Sequence, residues 1–288
     1  MKKFLGEENI YDDPDTSFGV VVPVPFEFST SYGKGASKGP KAIIDASEYV
    51  ELYDEILEME AFKHGILTAN YIEHKNDPQD VLRQIQQQVK NYINDNKFIV
   101  ALGGEHSISS AVVAAHNEKY SDLSVLQLDA HADLRDQYEG SKYSHASVMK
   151  RIWELNCNIV QCGIRALSKE EADFIKENNI DTFFAHDLKK KDNWDEVLNK
   201  LGENVYLTID VDFFDPSIMP ATGTPEPGGF YWDETMGFLI NLFTARNIVG
   251  CDVVELSPIK EMHHADFMIA KLVYKLFGMK LRSNIDKF

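Results

Sequence analysis

The segment 126–133 reads LQLDAHAD and places Asp129, His131 and Asp133 at i, i+2 and i+4 behind an apolar run. On an extended strand these three side chains share one face, because successive residues point to opposite sides. Two carboxylates and an imidazole crowded at one apolar strand end repel and strain their pKa values unless a cation neutralises them. A second run, YLTIDVDFFDP, puts Asp210 and Asp212 on one face on either side of Val211. In ALGGEHS, His106 stands where a strand gives way to a helix, behind two glycines that permit close backbone approach. Asp215-Pro216 reads as a turn opener and not as a ligand.

His106, Asp129, His131, Asp133, Asp210 and Asp212 offer four carboxylates and two imidazoles, more than one ion can use. Two ions sharing bridging carboxylates are implied. Oxygen-rich ligation with some imidazole and no thiolate favours Mn2+, two per chain, over structural zinc. Such a pair holds water as hydroxide near neutral pH, the nucleophile of metal-assisted hydrolysis.

The elements that must carry these residues are legible as alternation. Short apolar, β-branched runs at 18–24, 62–67, 97–102, 123–128, 157–164, 181–185, 204–211 and 247–254 read as eight strands. Helical spacing falls between most of them, at 39–57, 78–94, 107–119, 145–155, 168–178, 233–246 and 264–277. Strands without polar alternation, separated by amphipathic helices, indicate an α/β fold with a parallel sheet covered on both faces, an eight-unit barrel being the other solution. No linker or repeat interrupts the pattern, so residues 1–288 are read as one domain. In both architectures ligands belong at the carboxyl ends of the strands, where the six residues stand.

Composition agrees with a globular protein: 288 residues, 44% hydrophobic and 26% charged. The 29 basic and 46 acidic residues leave a net charge of −17, which argues against a nucleic-acid partner because backbone binding needs a basic face. Cys157, Cys162 and Cys251 lie in apolar stretches without CxxC spacing and read as reduced, buried thiols. The first ten residues lack an apolar core and no long apolar run follows, so a cytoplasmic protein without a membrane span is expected.

Taken in order, GGEHS, LDAHADLR, YSHAS, TIDVDFFDPSIMPATGTPEPGG and DVVELSP resemble the ureohydrolase family of arginases and agmatinases, from the first strand to Pro258. The agmatinase branch is most similar, through DLRDQYEGSKYSHAS and TGTPEPGG, although Ala221 stands where that branch's signature has its first glycine. The resemblance implies a three-layer α/β/α sandwich around an eight-stranded parallel sheet, and a homo-oligomer, trimer or hexamer. It implies that His106, Asp129, Asp133 and Asp210 hold one manganese and Asp129, His131, Asp210 and Asp212 the other, with Asp129 and Asp210 bridging. His145 falls on the family's proton-shuttling histidine and Glu255 on the acid that receives the guanidinium, with Asp133 beside them in catalysis and Thr224 on the substrate side.

These roles make chemical sense. A guanidinium carbon is a poor electrophile, so its hydrolysis needs a strong nucleophile, a positioned substrate and a proton for the departing amine. Glu255 can accept two parallel N–H bonds from the planar fork, and a histidine such as His145 is a residue type suited to proton transfer. The acid-rich site suits a small cationic guanidino substrate. The loop 134–144 offers Asp136 and Glu139 for a distal ammonium, and no evident donors for an α-carboxylate. Agmatine, cleaved to putrescine and urea, is therefore the first expectation; arginine, guanidinobutyrate, aminopropyl-agmatine and formiminoglutamate are the alternatives. A metallophosphoesterase is disfavoured by the missing Gly-Asn-His stretch, a one-zinc deacetylase by the surplus of ligands, and a silent interaction subunit by the competent residue at every site position. His116, His186, His263 and His264 read as structural, and His64 and His74 give no signal.

Overall fold

The structure is a computed structural model that describes residues 2–30, 32–72, 77–191 and 193–285. His74 lies outside the described residues. Eight strands form one sheet: β1 (Gly19–Val24), β2 (Ile66–Thr68), β3 (Phe98–Gly103), β4 (Ser124–Leu128), β5 (Asn158–Ile164), β6 (Asp181–Phe184), β7 (Asn204–Asp210) and β8 (Asn247–Val254). Their spatial order is β2-β1-β3-β8-β7-β4-β5-β6, and every pairing is parallel. The short strands β2 and β6 are the two edges, so the sheet stays open and the barrel is ruled out.

Helices cover both faces, as parallel strands require. They are α1 (Gly39–Ser47), α2 (Pro78–Asn94), α3 (Ser109–Asn117), α4 (Val148–Trp153), α5 (Lys169–Asn178), α6 (Ala185–Lys191), α7 (Trp194–Lys200), α8 (Trp232–Ala245) and α9 (His263–Ile285). One core layer joins Ile43 of α1, Leu239 of α8 and Leu276 of α9 to the sheet residues Val100, Leu126 and Leu207. On the opposite face Ile85 of α2, Val112 of α3 and Ile152 of α4 pack on Ile99, Val125 and Tyr206. Neighbouring strand residues thus feed opposite cores, which is why β1, β3 and β4 are buried along their whole length. Truncating one of these side chains, Leu126→Ala for example, would cost about 2–5 kcal/mol through lost transfer energy and the cavity left behind. The three Cys are buried and free. Among the described residues no helix is long and apolar enough to cross a membrane.

The local code is visible in α2, where Asp77 accepts a hydrogen bond from Gln79 N, Pro78 opens the first turn, and Val81, Leu82, Ile85, Val89 and Ile93 form one buried face. Three expectations need correction. The helix expected over 39–57 ends at Ser47, and the following turns are held by Asp54, whose carboxylate accepts Ile56 N and Leu57 N and pairs with the buried Lys275 ammonium at 2.9 Å. The strand expected over 62–67 is mostly a 3-10 turn, Ala61–His64, with β2 beginning only at Ile66. The helices α6 and α7 were not expected, because their run of charged residues buries only Ala185, Leu188 and Val197.

Candidate metal centre

The four central strands β3, β8, β7 and β4 are neighbours, and their carboxyl ends deliver the site. His106 opens a 3-10 turn after β3, Asp129 follows β4, Asp210 is the last residue of β7, and Glu255 follows β8. Gly104 is demanded by this crossing: a Cβ there would lie 2.0 Å from the Phe26 carbonyl oxygen. Asp133 and Glu255 are held in the left-handed region, at φ 53° and 66°, a strain of about 1–3 kcal/mol each that recurs at functional sites.

All six expected ligands converge. Two groups of donors form, His106 with Asp129 and Asp210, and Asp129 with His131 and Asp212, so that Asp129 belongs to both. Asp133 adds to the first, since His106 Nδ1 lies 3.1 Å from Asp133 Oδ2, 3.1 Å from Asp129 Oδ2 and 3.5 Å from Asp210 Oδ2. His131 Nδ1 lies 2.9 Å from Asp212 Oδ2. Backbone and amide donors aim these carboxylates: Asp129 accepts His131 N and the Gln127 side chain, Asp212 accepts Ala130 N, and Asp210 accepts Asp212 N.

Whether the residues fit a cation is decided by His106. Its Nε2 is 2.9 Å from the Thr208 hydroxyl, which in turn donates to Asp252 Oδ1 at 2.6 Å. Thr208 therefore accepts from Nε2–H, and Nδ1, fully buried and without a hydrogen-bond partner, faces three carboxylate oxygens. Burial opposes a charged ring, but Asp129 and Asp133 outweigh it and raise the His106 pKa well above the ordinary histidine value, so the nitrogen that a divalent cation would use otherwise holds a proton. The pKa values say the same. Burial, then the charges of Asp212 and Asp133, push Asp129 up to about 7, and burial with Asp212 and Asp129 raises Asp210 well above the carboxylate range. Burial opposes a charged His131, but Asp212 and Asp129 outweigh it and push it up to about 10. Asp212, whose burial is outweighed by that same histidine, stays low. Two divalent ions satisfy what protons otherwise must.

Glu255 lies beside this cluster with one carboxylate oxygen accepting His106 N at 2.6 Å. Burial first, then the charge of Glu105, pushes it up to about 8. His145 stands at the start of a 3-10 turn, and its Nδ1 is 3.1 Å from Ser29 Oγ. Ser29 is tied at 3.0 Å to Glu105, whose carboxylate also accepts Phe28 N and Ser29 N. Ser29 and Glu105 were missed in the sequence, although Glu105 lies within GGEHS.

The cleft above the centre has a volume of about 290 Å³, near the lower end for small-molecule sites. His106, His131, Asp133, His145, Thr224 and Glu255 all line it. Its mouth is formed by the loop after β1 and the segment around 223, which meet where Gly33 N donates to Gly223 O; a Cβ on Gly33 would come within 2.9 Å of Gly223 Cα. Asp136 and Glu139 are not brought to it. Asp136 is exposed and pairs with Arg151 at 3.2 Å, and Glu139 sits at an exposed turn. Glu226 lines the cleft instead, an acid that sequence reasoning passed over within TGTPEPGG.

The comparisons with known proteins agree with this geometry. The chain is 40% identical to the N(1)-aminopropylagmatine ureohydrolase of Synechocystis sp. over 286 residues, covering 96% of this chain and 93% of that protein. It is 32% identical to the agmatinase of Pyrococcus horikoshii, over 91% of this chain and 92% of that one. The crystal structure of the agmatine ureohydrolase of Thermoplasma volcanium superposes with a TM-score of 0.91 at 28% identity, covering 100% of this chain and 97% of the other. The sequence profile of the arginase family matches residues 19–278, from β1 into α9. The sheet order, the doubled His/Asp cluster and the acid at the end of β8 thus have one common explanation: the chain belongs to the arginase family and is a ureohydrolase acting on guanidino groups.

Proposed function

We propose that the chain is a binuclear manganese ureohydrolase that releases urea from a cationic guanidino amine, with N(1)-aminopropylagmatine preferred and agmatine as the second reading. The observation that carries the reaction class is the buried, partnerless His106 Nδ1 among three aspartates, beside a glutamate with a free carboxylate oxygen. The longer substrate is favoured over agmatine because relatives of that name reach 37–40% identity, against 32–34% for agmatinases.

His106, Asp129, Asp133 and Asp210 would hold one ion, and Asp129, His131, Asp210 and Asp212 the other; when bound, the ions supply Lewis acidity that brings the pKa of water towards neutrality. The chain does the rest. Glu255 has one oxygen committed to His106 N, which fixes its plane, and presents the other to the guanidinium N–H donors. A cation seated there favours the ionised form that burial disfavours. His145 holds the proton that the departing amine needs, its ring fixed through Nδ1 by Ser29 so that Nε2 is the atom that exchanges it. Arg165 locks the Asp212 loop to the wall of the cleft by donating to the Asp212 and Glu226 carbonyl oxygens.

The test is urea release with added Mn2+ from N(1)-aminopropylagmatine, agmatine, arginine and guanidinobutyrate. The expected order of kcat/KM puts N(1)-aminopropylagmatine first, agmatine second, and arginine at least about 10³-fold below, because its carboxylate meets an acid-rich lining whose Arg135 is already paired with Glu171. Comparable efficiency with arginine, or urea from none of the four, would overturn the reading.

A further inference from the structure

We propose that Glu226 is the anchor for the substrate's distal ammonium. This subsite rests on the reading of the chain as a ureohydrolase of cationic guanidines, and it names the group that reads the far end of the molecule.

Apart from the metal cluster and Glu255, two carboxylates line the cleft, Glu171 and Glu226. Glu171 is spent: it is buried, accepts Leu134 N at 3.0 Å and Ser168 N at 2.7 Å, and lies 3.8 Å from Arg135 Nε. Its work is to cap α5 and hold the chain beyond Asp133. Glu226 is different. Its backbone oxygen accepts two N–H groups from Arg165, at 2.9 and 3.3 Å, while among the described residues its carboxylate makes no hydrogen bond or ion pair and feels the Arg165 charge only at longer range. The Arg165 guanidinium does not close on that carboxylate, because its donors go to the carbonyl oxygens of Gly163, Asp212, Phe214 and Glu226.

The backbone around Glu226 is unusually stiff. Pro225 and Pro227 fix φ on both sides, and each proline also restricts the residue before it, so the backbone at Glu226 has little freedom to lose on binding. Arg165 ties this stiff segment to the Asp212 carbonyl, so the distance from the metal cluster to Glu226 is set by the same guanidinium that holds the ligand loop. Glu255 beside the metal cluster and Glu226 on this tied segment are thus two acids of one cleft. Tyr32 and Tyr138 also line this cleft, the Tyr138 ring lying under the Arg135 guanidinium at 5.6 Å.

The experiment compares the wild type with Glu226→Gln on N(1)-aminopropylagmatine, agmatine and butylguanidine, which keeps the guanidinium and lacks an ammonium. The expected result is a kcat/KM lowered about tenfold or more for the two amines, mainly through KM, with butylguanidine changed less than about twofold. Glu226→Lys should go further and favour guanidinobutyrate over agmatine, a gain that a misfolded variant cannot show. Equal losses on all three guanidines, or no loss on the amines, overturn the subsite while leaving the reaction class intact. A wild type that releases urea from no guanidine overturns the reaction class itself, and the subsite with it.

Discussion

Ser29 Oγ lies 3.1 Å from His145 Nδ1 across 116 residues of sequence, and with the more distant Ser144 Oγ at 3.4 Å it engages that nitrogen of the ring. A serine hydroxyl has one donor and two acceptor positions, and all three are used here. It donates to Glu105 Oε1 at 3.0 Å and accepts the backbone N–H of His145 at 3.0 Å, so the remaining lone pair takes Nδ1–H. Ser29→Ala frees the ring to turn. Turnover should fall roughly tenfold with KM and metal content unchanged, the size of effect expected when the partner of a functional histidine is lost, and Ser29→Thr should retain most of it. An unaltered kcat in Ser29→Ala would make the contact structural.

For His145 itself, replacement by Asn should lower turnover by roughly 10²-fold, the scale of lost general acid–base catalysis. Bound manganese, read by elemental analysis, should stay at the parental level. Loss of metal would instead move His145 among the ligands.

Metal loading should approach two ions per chain, since the donors form two groups that meet at Asp129. Asp212 belongs to only one of them, so Asp212→Ala should bind one ion fewer and not lose both. Because the folded chain alone offers the sites, saturating manganese at roughly a hundred times its Kd should add about 2.7 kcal/mol per ion to stability. A melting temperature indifferent to chelator would contradict this.

His116 gives a pH dependence away from the centre. It is fully buried on α3, its Nδ1 against the Val112 carbonyl at 2.9 Å, and burial pushes its pKa down to about 4. Below the ordinary histidine value near 6.5 the unfolded chain takes up a proton that the folded chain refuses, so stability is lost as pH falls from 6.5 towards 4. The full difference is worth about 3 kcal/mol. Denaturant unfolding at pH 7 and pH 4.5 should show a smaller acid loss in His116→Asn than in the wild type, by about 2 kcal/mol or more. Equal acid losses would mean that His116 titrates normally in the fold.

The strands and the clustering of the candidate ligands were legible because both obey local rules. Apolar β-branched runs announce buried parallel strands, and Asp129, His131 and Asp133 or Asp210 and Asp212 sit at the spacing that shares a face. Helix α7 escaped because Trp194 packing on Phe238 of α8 outweighs a polar sequence, and α6 because only Ala185 and Leu188 of its charged run are buried. Asp136 promised a substrate contact that Arg151, fifteen residues on, took instead. Ser29, Glu105 and Glu226 carry no local signal. Their meaning lies in partners on other loops, brought near only when the sheet is complete.

The strand order has a consequence for the timing of synthesis. The last strand, β8, lies between β3 and β7, so everything made before Asn247 is two separate half-sheets, β2-β1-β3 and β7-β4-β5-β6, each with an apolar inner edge. The first half carries His106; the second carries Asp129, His131, Asp133, Asp210 and Asp212; and Glu255 arrives with the strand that joins them. A nascent chain on the ribosome therefore has the donors around His131 and Asp212 long before His106 can reach them, and Glu255 joins both only when the seam closes. The candidate site is complete only once the last strand is in place, so its assembly waits on pairings of long sequence separation.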